Sequence, residues 1–276
     1  MSGSENPQGD WWGRRAEDWF TAQESTAMPL YEVAIDRLDL PRGSRLLDAG
    51  CGAGLFCRLA LERGVRAEGL DASQRLVEIA RRRAPAGRFS VGDMEALPFE
   101  NASFDAVTGF DSFPHAGRPA RALAEAARVA RTGGCVLIAT WGDPEECEAL
   151  ACMRAVGSFL RPPSPETASP LALSDPEALR AFVGEAGLSP RELVEVDVPF
   201  LYPDVETALR SALSSGPAAR AIEIAGEPAI RNAVLRSLAP FRLSSGAYRL
   251  ENRFLCLVAD AARVKEGVAI RAVTVA

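Results

Sequence analysis

A short apolar strand that breaks into three alternating glycines constrains this chain more than any other feature. Arg45 to Ala49 supplies the strand, Gly50, Gly52 and Gly54 the turn, and Leu55-Phe56-Cys57-Arg58-Leu59-Ala60-Leu61 resumes apolar spacing at helical intervals. A side chain at Gly50 or Gly52 would hold a ligand away from the backbone, whereas glycine permits close approach and unusual φ/ψ angles. The unpaired N–H groups of the following helix then face whatever occupies the turn. A strand, turn and helix of this kind suit a nucleotide-like ligand.

The alternation continues to about residue 140. Strands are predicted at 45–49, 66–70, 88–91, 104–109 and 134–140, and helices at about 54–63, 74–84 and 118–131, as a parallel α/β sheet requires. Ser73 is placed as an N-cap and Gly133-Gly134 as a helix stop. Right-handed crossovers put all the ligand-facing turns at one sheet edge. Ahead of this core, residues 1–40 are read as a helical cap that holds Trp11, Trp12 and Trp19, three of the four tryptophans. Behind it, the proline-rich run 162–170 reads as a loop, and Ser174-Asp175-Pro176-Glu177 as a capping box opening a helix that Gly187 ends. Val194, Val196 and Val198 alternate with acidic residues, and Tyr248 to Ala259 is a second strand candidate. Between them, residues 203–242 carry helical patterning broken at Gly216-Pro217, Gly226 and Pro228, too long for a hairpin loop, and are read as a helical insertion. The core thus comprises 41–200 and 245–262, and 263–276 is an uninformative tail.

Composition removes several function classes. A net charge of -6 disfavours a phosphate backbone, so no nucleic-acid partner is expected, and Arg81-Arg82-Arg83 reads as the solvated face of a helix. No apolar run approaches the ~20 residues of a membrane span and residues 1–10 lack a signal-peptide core, which points to the cytoplasm and no membrane partner. Six cysteines without a CxxC pair read as reduced thiols, and the one histidine, His115, excludes a multi-histidine metal site, so no metal is expected.

Further residues fall at the correct strand ends. Asp71 ends the second strand, where a carboxylate can accept from both hydroxyls of a ribose. Asp93 ends the third, able to accept from an exocyclic amine while Met94 packs on an aromatic base. Asp48 lies two residues before the glycines, where a pyrophosphate would meet like charge, and the spacing is GxGxG rather than GxGxxG. An amino-acid sulfonium nucleoside fits better than a dinucleotide.

On Asp48 to Gly54, Gly69-Leu70-Asp71-Ala72-Ser73, Gly92-Asp93-Met94-Glu95-Ala96-Leu97-Pro98-Phe99, Ser103-Phe104-Asp105-Ala106-Val107 and Glu125 to Gly134, the chain resembles the class I S-adenosylmethionine-dependent methyltransferases. The likeness is to the ubiquinone/menaquinone-type and natural-product small-molecule branch, and covers roughly residues 12–200. Thr132 departs from it, where proline usually precedes the paired glycines. The resemblance implies a Rossmann-like sheet of order 3-2-1-4-5-7-6 and S-adenosyl-L-methionine as cofactor. Asp71 would lie on the ribose, Asp93 and Met94 at adenine, and Gly50, Gly52 and Asp48 around the methionine portion; Ala49, Cys51, Gly54, Ala72 and Phe110 complete the expected set.

Methyl transfer from a sulfonium is an in-line displacement, so holding acceptor and methyl collinear supplies much of the catalysis. A hydroxyl acceptor must also lose its proton. The exit of the fourth strand, 109–116, makes Asp111 and His115 the catalytic candidates. Trp12, Trp19, Phe113, Trp141 and Tyr202 are candidates for the acceptor wall or lid. The expected activity is methylation of a small, largely apolar organic metabolite at O, N or C, in natural-product biosynthesis. Three alternatives stay open: a methyltransferase-like protein that catalyses cyclisation or decarboxylation, a non-enzymatic S-adenosylmethionine-binding subunit, and a nicotinamide dehydrogenase. A homodimer is compatible with the sequence.

Overall fold

The structure, a computed structural model, describes residues 5–161 and 171–261; the proline-rich run at 162–170 and the tail at 263–276 lie outside them. Seven strands form the main sheet: β1 (Arg45–Ala49), β2 (Arg66–Asp71), β3 (Arg88–Val91), β4 (Phe104–Phe110), β5 (Ala130–Trp141), β6 (Leu188–Asp197) and β9 (Arg253–Ala261). Their order is β3-β2-β1-β4-β5-β9-β6, with β7 (Phe200–Tyr202) and β8 (Tyr248–Leu250) paired apart as a small second sheet. This is the expected 3-2-1-4-5-7-6 order with β9 in the seventh place. β1 to β5 pair in parallel, whereas β9 runs antiparallel to both β5 and β6.

The main sheet is covered on both faces because its side chains alternate. Leu46, Ala106, Leu137, Cys256 and Val258 join one core with α3 (Met28–Leu38), α4 (Leu55–Glu62) and α5 (Gln74–Arg83). Leu47, Val107, Val136, Leu255 and Leu257 join the other with α6 (Pro119–Val129) and α8 (Pro176–Glu185). The insertion is α9 (Val205–Leu213), α10 (Gly216–Ala225) and α11 (Glu227–Leu238), and α7 (Leu150–Gly157) packs beneath it. α1 (Glu5–Gly13) and α2 (Ala16–Asp18) lead into a π-helical turn at Trp19–Gln23 and a 3-10 turn at Glu24–Ala27.

Three boundaries differ from the sequence reading, each for a local reason. The helix expected to reach residue 131 stops at Val129, and β5 starts at Ala130, which pairs with Phe104 before a bulge carrying Gly133 at φ +77. The strand expected over 248–259 divides at buried Asn252, whose side chain accepts from Ala149 N at 2.9 Å and donates to the carbonyls of Leu250 and Val198. The capping residue of α8 is Asp175, which accepts from Ala178 N at 2.8 Å, while the Ser174 hydroxyl turns back to Leu171 O. Ser73 caps α5 as expected, accepting from Leu76 N.

Candidate functional site

The strand order reverses between β1 and β4, so the turns after these two strands diverge at the carboxyl edge and leave a crevice. A cavity of ≈ 110 Å³ lies there. Its floor is Gly50 and Gly52 after β1, Asp71 and Ala72 after β2, Met94 after β3, and Phe110, Asp111 and Ser112 at the end of β4. Its roof is Gln8, Trp12 and Trp19 from the N-terminal segment, with Leu76, His115 and Ala116 at the sides. A larger open depression of ≈ 500 Å³, around Arg45, Val65, Arg66 and Arg88, opens at the amino ends of the strands, where no helix N-terminus follows to receive a ligand.

Backbone bonds shape the floor. Gly50 N and Cys51 N both donate to Leu70 O, at 2.7 and 3.1 Å, and Gly54 N closes the turn onto Cys51 O. Gly50, Gly52 and Gly54 all have positive φ, and a Cβ on Gly50 would collide with Ser112, whose hydroxyl donates to Ala49 O at 2.6 Å. Asp71 ties the first two turns together, accepting from Gly52 N on one oxygen at 2.9 Å and from Ser73 N on the other at 2.8 Å. Each oxygen retains a second lone pair for a ligand hydroxyl. Burial raises the Asp71 carboxyl above its usual range, against the lowering effect of those two bonds.

Asp48 and Glu24 lie close to this turn and are nearly inaccessible. Asp48 accepts from the Thr108 hydroxyl at 2.8 Å, and burial pushes its carboxyl up to about 7 despite that bond. Glu24 pairs with Arg83 and accepts from Leu55 N at 3.3 Å, while Arg83 also donates to Ala53 O. Burial nevertheless raises Glu24. Nothing in the spacing singled out Glu24 or Arg83.

Asp111 adopts φ +49, with its N–H held by Ala139 O at 2.7 Å. Its Oδ2 accepts from Trp141 Nε1 at 2.9 Å, and its Oδ1 is buried without a partner. His115 Nε2 stands 3.7 Å from Oδ2, beyond hydrogen-bond range, and its ring meets Trp12 edge to face at 5.4 Å. Trp12 in turn meets Trp19 at 5.1 Å.

Of the expected cofactor residues, Gly50, Gly52, Asp71, Ala72, Met94 and Phe110 thus line the cavity. Ala49, Cys51 and Gly54 shape the turn from behind, and Asp93 accepts from Glu95 N at 2.9 Å. Among the acceptor candidates, Trp12, Trp19, Asp111 and His115 meet in the cavity, but three lie off its wall. Phe113 is fully buried against Gly109 in the opposite core, and Trp141 sits behind Asp111 against Phe254. Tyr202 turns its hydroxyl to Ser211 and Gln23 under the insertion, and burial raises it far above the usual tyrosine range. Gln8, Leu76, Ser112 and Ala116 are wall residues that the motifs did not single out. Among the described residues, no group of three or more His, Cys, Asp or Glu side chains is arranged to hold a metal ion, and no helix is long and apolar enough to cross a membrane.

Residues 47–138 match the family described as Methyltransferase domain. Malonyl-(acyl-carrier protein) O-methyltransferase of Erwinia pyrifoliae is 32% identical over 178 residues, 62% of this chain and 62% of that protein. Demethylmenaquinone methyltransferase of Renibacterium salmoninarum is 34% identical over 112 residues, 41% of this chain and 47% of that protein. The chain therefore spans about half the length of these curated relatives. A chain of the complex between the Haloferax volcanii Trm112 methyltransferase activator and the putative methyltransferase shares the fold, with a TM-score of 0.62 at 21% identity, covering 93% of this chain and 98% of that one.

Proposed function

We propose that this chain, whose residues 47–138 match the methyltransferase-domain family, is a class I S-adenosylmethionine-dependent methyltransferase that transfers the methyl group of S-adenosyl-L-methionine to a small, largely apolar organic acceptor, in natural-product biosynthesis. One observation carries this reading: Gly50 and Gly52, Asp71, Met94 and Asp111, which follow four different strands, line a single cavity at the switch point. The cofactor supplies an electrophilic methyl on a good leaving group. Asp71 receives the ribose hydroxyls on the lone pairs its backbone partners leave open, and Met94 packs against the adenine. Trp12 and Trp19 roof the cleft, with His115 at its side, and keep water from the reacting atoms. Asp111, a wall residue whose Oδ2 is held by Trp141 and whose Oδ1 has no partner, takes the proton of a hydroxyl or amine acceptor as the methyl arrives.

The test is calorimetric binding followed by transfer of labelled methyl into organic-extractable small molecules. The wild-type protein is expected to bind S-adenosylmethionine and pass on its label. Asp71→Ala should weaken binding roughly 100-fold or more, since two hydrogen bonds to a charged group are lost. Unchanged affinity in that variant, or a wild-type protein that does not bind the cofactor, would overturn the reading.

A further inference from the structure

The roof of the cavity contains a hydrogen-bond donor with nothing to bond. Trp19 Nε1 is buried and unpartnered, and a Cβ built on Gly52 would lie 3.2 Å from it, so the indole edge faces the glycine turn across the cavity. The ring is fixed from behind: Trp12 meets it at 88°, and the apolar cluster of Ala16, Ala53, Leu76 and Ile79 packs around it. The segment itself is anchored to the turn, because Glu24, five residues on, accepts from Leu55 N and pairs with Arg83, which donates to Ala53 O. A buried N–H without a partner is destabilising, so this one is held where a ligand atom can meet it.

An indole N–H only donates, so that atom must be an acceptor. The reading proposed above, on which this inference rests, leaves few choices. The adenine belongs with Met94, on the side of β3. The ribose hydroxyls belong to Asp71, to which they must donate. The positively charged sulfonium does not accept from an N–H and the ammonium has no lone pair, which leaves the carboxylate. We infer that Trp19 Nε1 donates to the α-carboxylate of the bound cofactor, with Glu24 as the positioning residue that sets the indole over Gly52. Pairing of Glu24 with Arg83 offsets its charge, so an incoming carboxylate does not face a bare anion there.

The experiment compares S-adenosylmethionine with its decarboxylated analogue, which lacks only that group, by calorimetry on the wild-type protein and on Trp19→Phe. The variant should bind S-adenosylmethionine about tenfold more weakly, near 1.4 kcal/mol, and the decarboxylated analogue within about twofold of the wild-type value. Equal weakening for both ligands, or for neither, would overturn the assignment. A wild-type protein that binds neither ligand would defeat the methyltransferase reading instead. Should Trp19→Phe fail to fold, ¹⁵N-indole spectra of the wild-type protein decide: the Trp19 N–H resonance should move downfield with S-adenosylmethionine and not with the analogue, and an equal response to both refutes the contact.

Discussion

On the floor of the cleft, Gly50, Asp71 and Met94 stand at the ends of three neighbouring strands, and the backbone bonds of Gly50, Cys51 and Gly52 hold the turn to β2 and Asp71. On the roof and rim, Trp12 meets Trp19 of its own N-terminal segment and His115 from far along the chain, both edge to face. The floor is therefore specified by main-chain geometry, which tolerates little variation, and the roof by side-chain packing, which can change without disturbing the sheet.

The most damaging way to break the contrast is to cut the one strong tie between the halves. Glu24→Ala leaves Arg83, only 14% exposed, without its carboxylate; removing one member of such a pair costs about 3–5 kcal/mol. Urea unfolding should show that loss, and a loss under about 1 kcal/mol would mean that the N-terminal segment is anchored by its apolar contacts alone.

A smaller effect separates the floor by pH. Burial raises the Asp48 carboxyl from 3.8 to about 7, so between those values the folded protein holds a proton that the unfolded chain has released. The stability from this group is full below the lower value and is lost as pH rises through the higher one. Asp48→Asn removes that decline. Its Tm should exceed the wild-type value by several degrees, roughly 3–10 °C, at pH about 8 and match it near pH 4; parallel curves across that range would refute the raised carboxyl.

The smallest effect concerns the roof. Glu223 on α10 binds Arg14 and accepts from Trp11 Nε1 at 3.0 Å, and Glu227 on α11 binds Arg15 at 2.5 Å. These pairs are exposed, so Glu223→Gln should cost about 1 kcal/mol or less, with the difference vanishing at high salt. A larger, salt-independent loss would give the roof a rigidity comparable with the floor's.

The same contrast governs how much could be read from the sequence. β1 to β4, their glycine turn, Asp71 and Met94 were legible because each is a local pattern: an apolar run, a turn residue, a polar group at a fixed offset. Arg83 looked like part of a solvated basic run, yet it turns inward to Glu24. Phe113 and Tyr202 looked like wall residues, yet they pack into the core and under the insertion. Nothing local distinguishes these cases, since each depends on which distant segment arrives alongside. Asn252 shows the same limit in the backbone, interrupting the run to satisfy Ala149 N and Val198 O from two other segments.

α1 lies flush on the turn after β2 because Gly9 has no Cβ to collide with Ala72 O, and Trp12 is seated against Gly216 of the insertion. The cavity beneath, ≈ 110 Å³, is well under the ~300 Å³ at which small-molecule pockets begin. Moving α1 off that turn would widen the cleft, and it would also draw Trp12 away from Gly216. The width of the cleft and the seating of the insertion are thus joined through one helix.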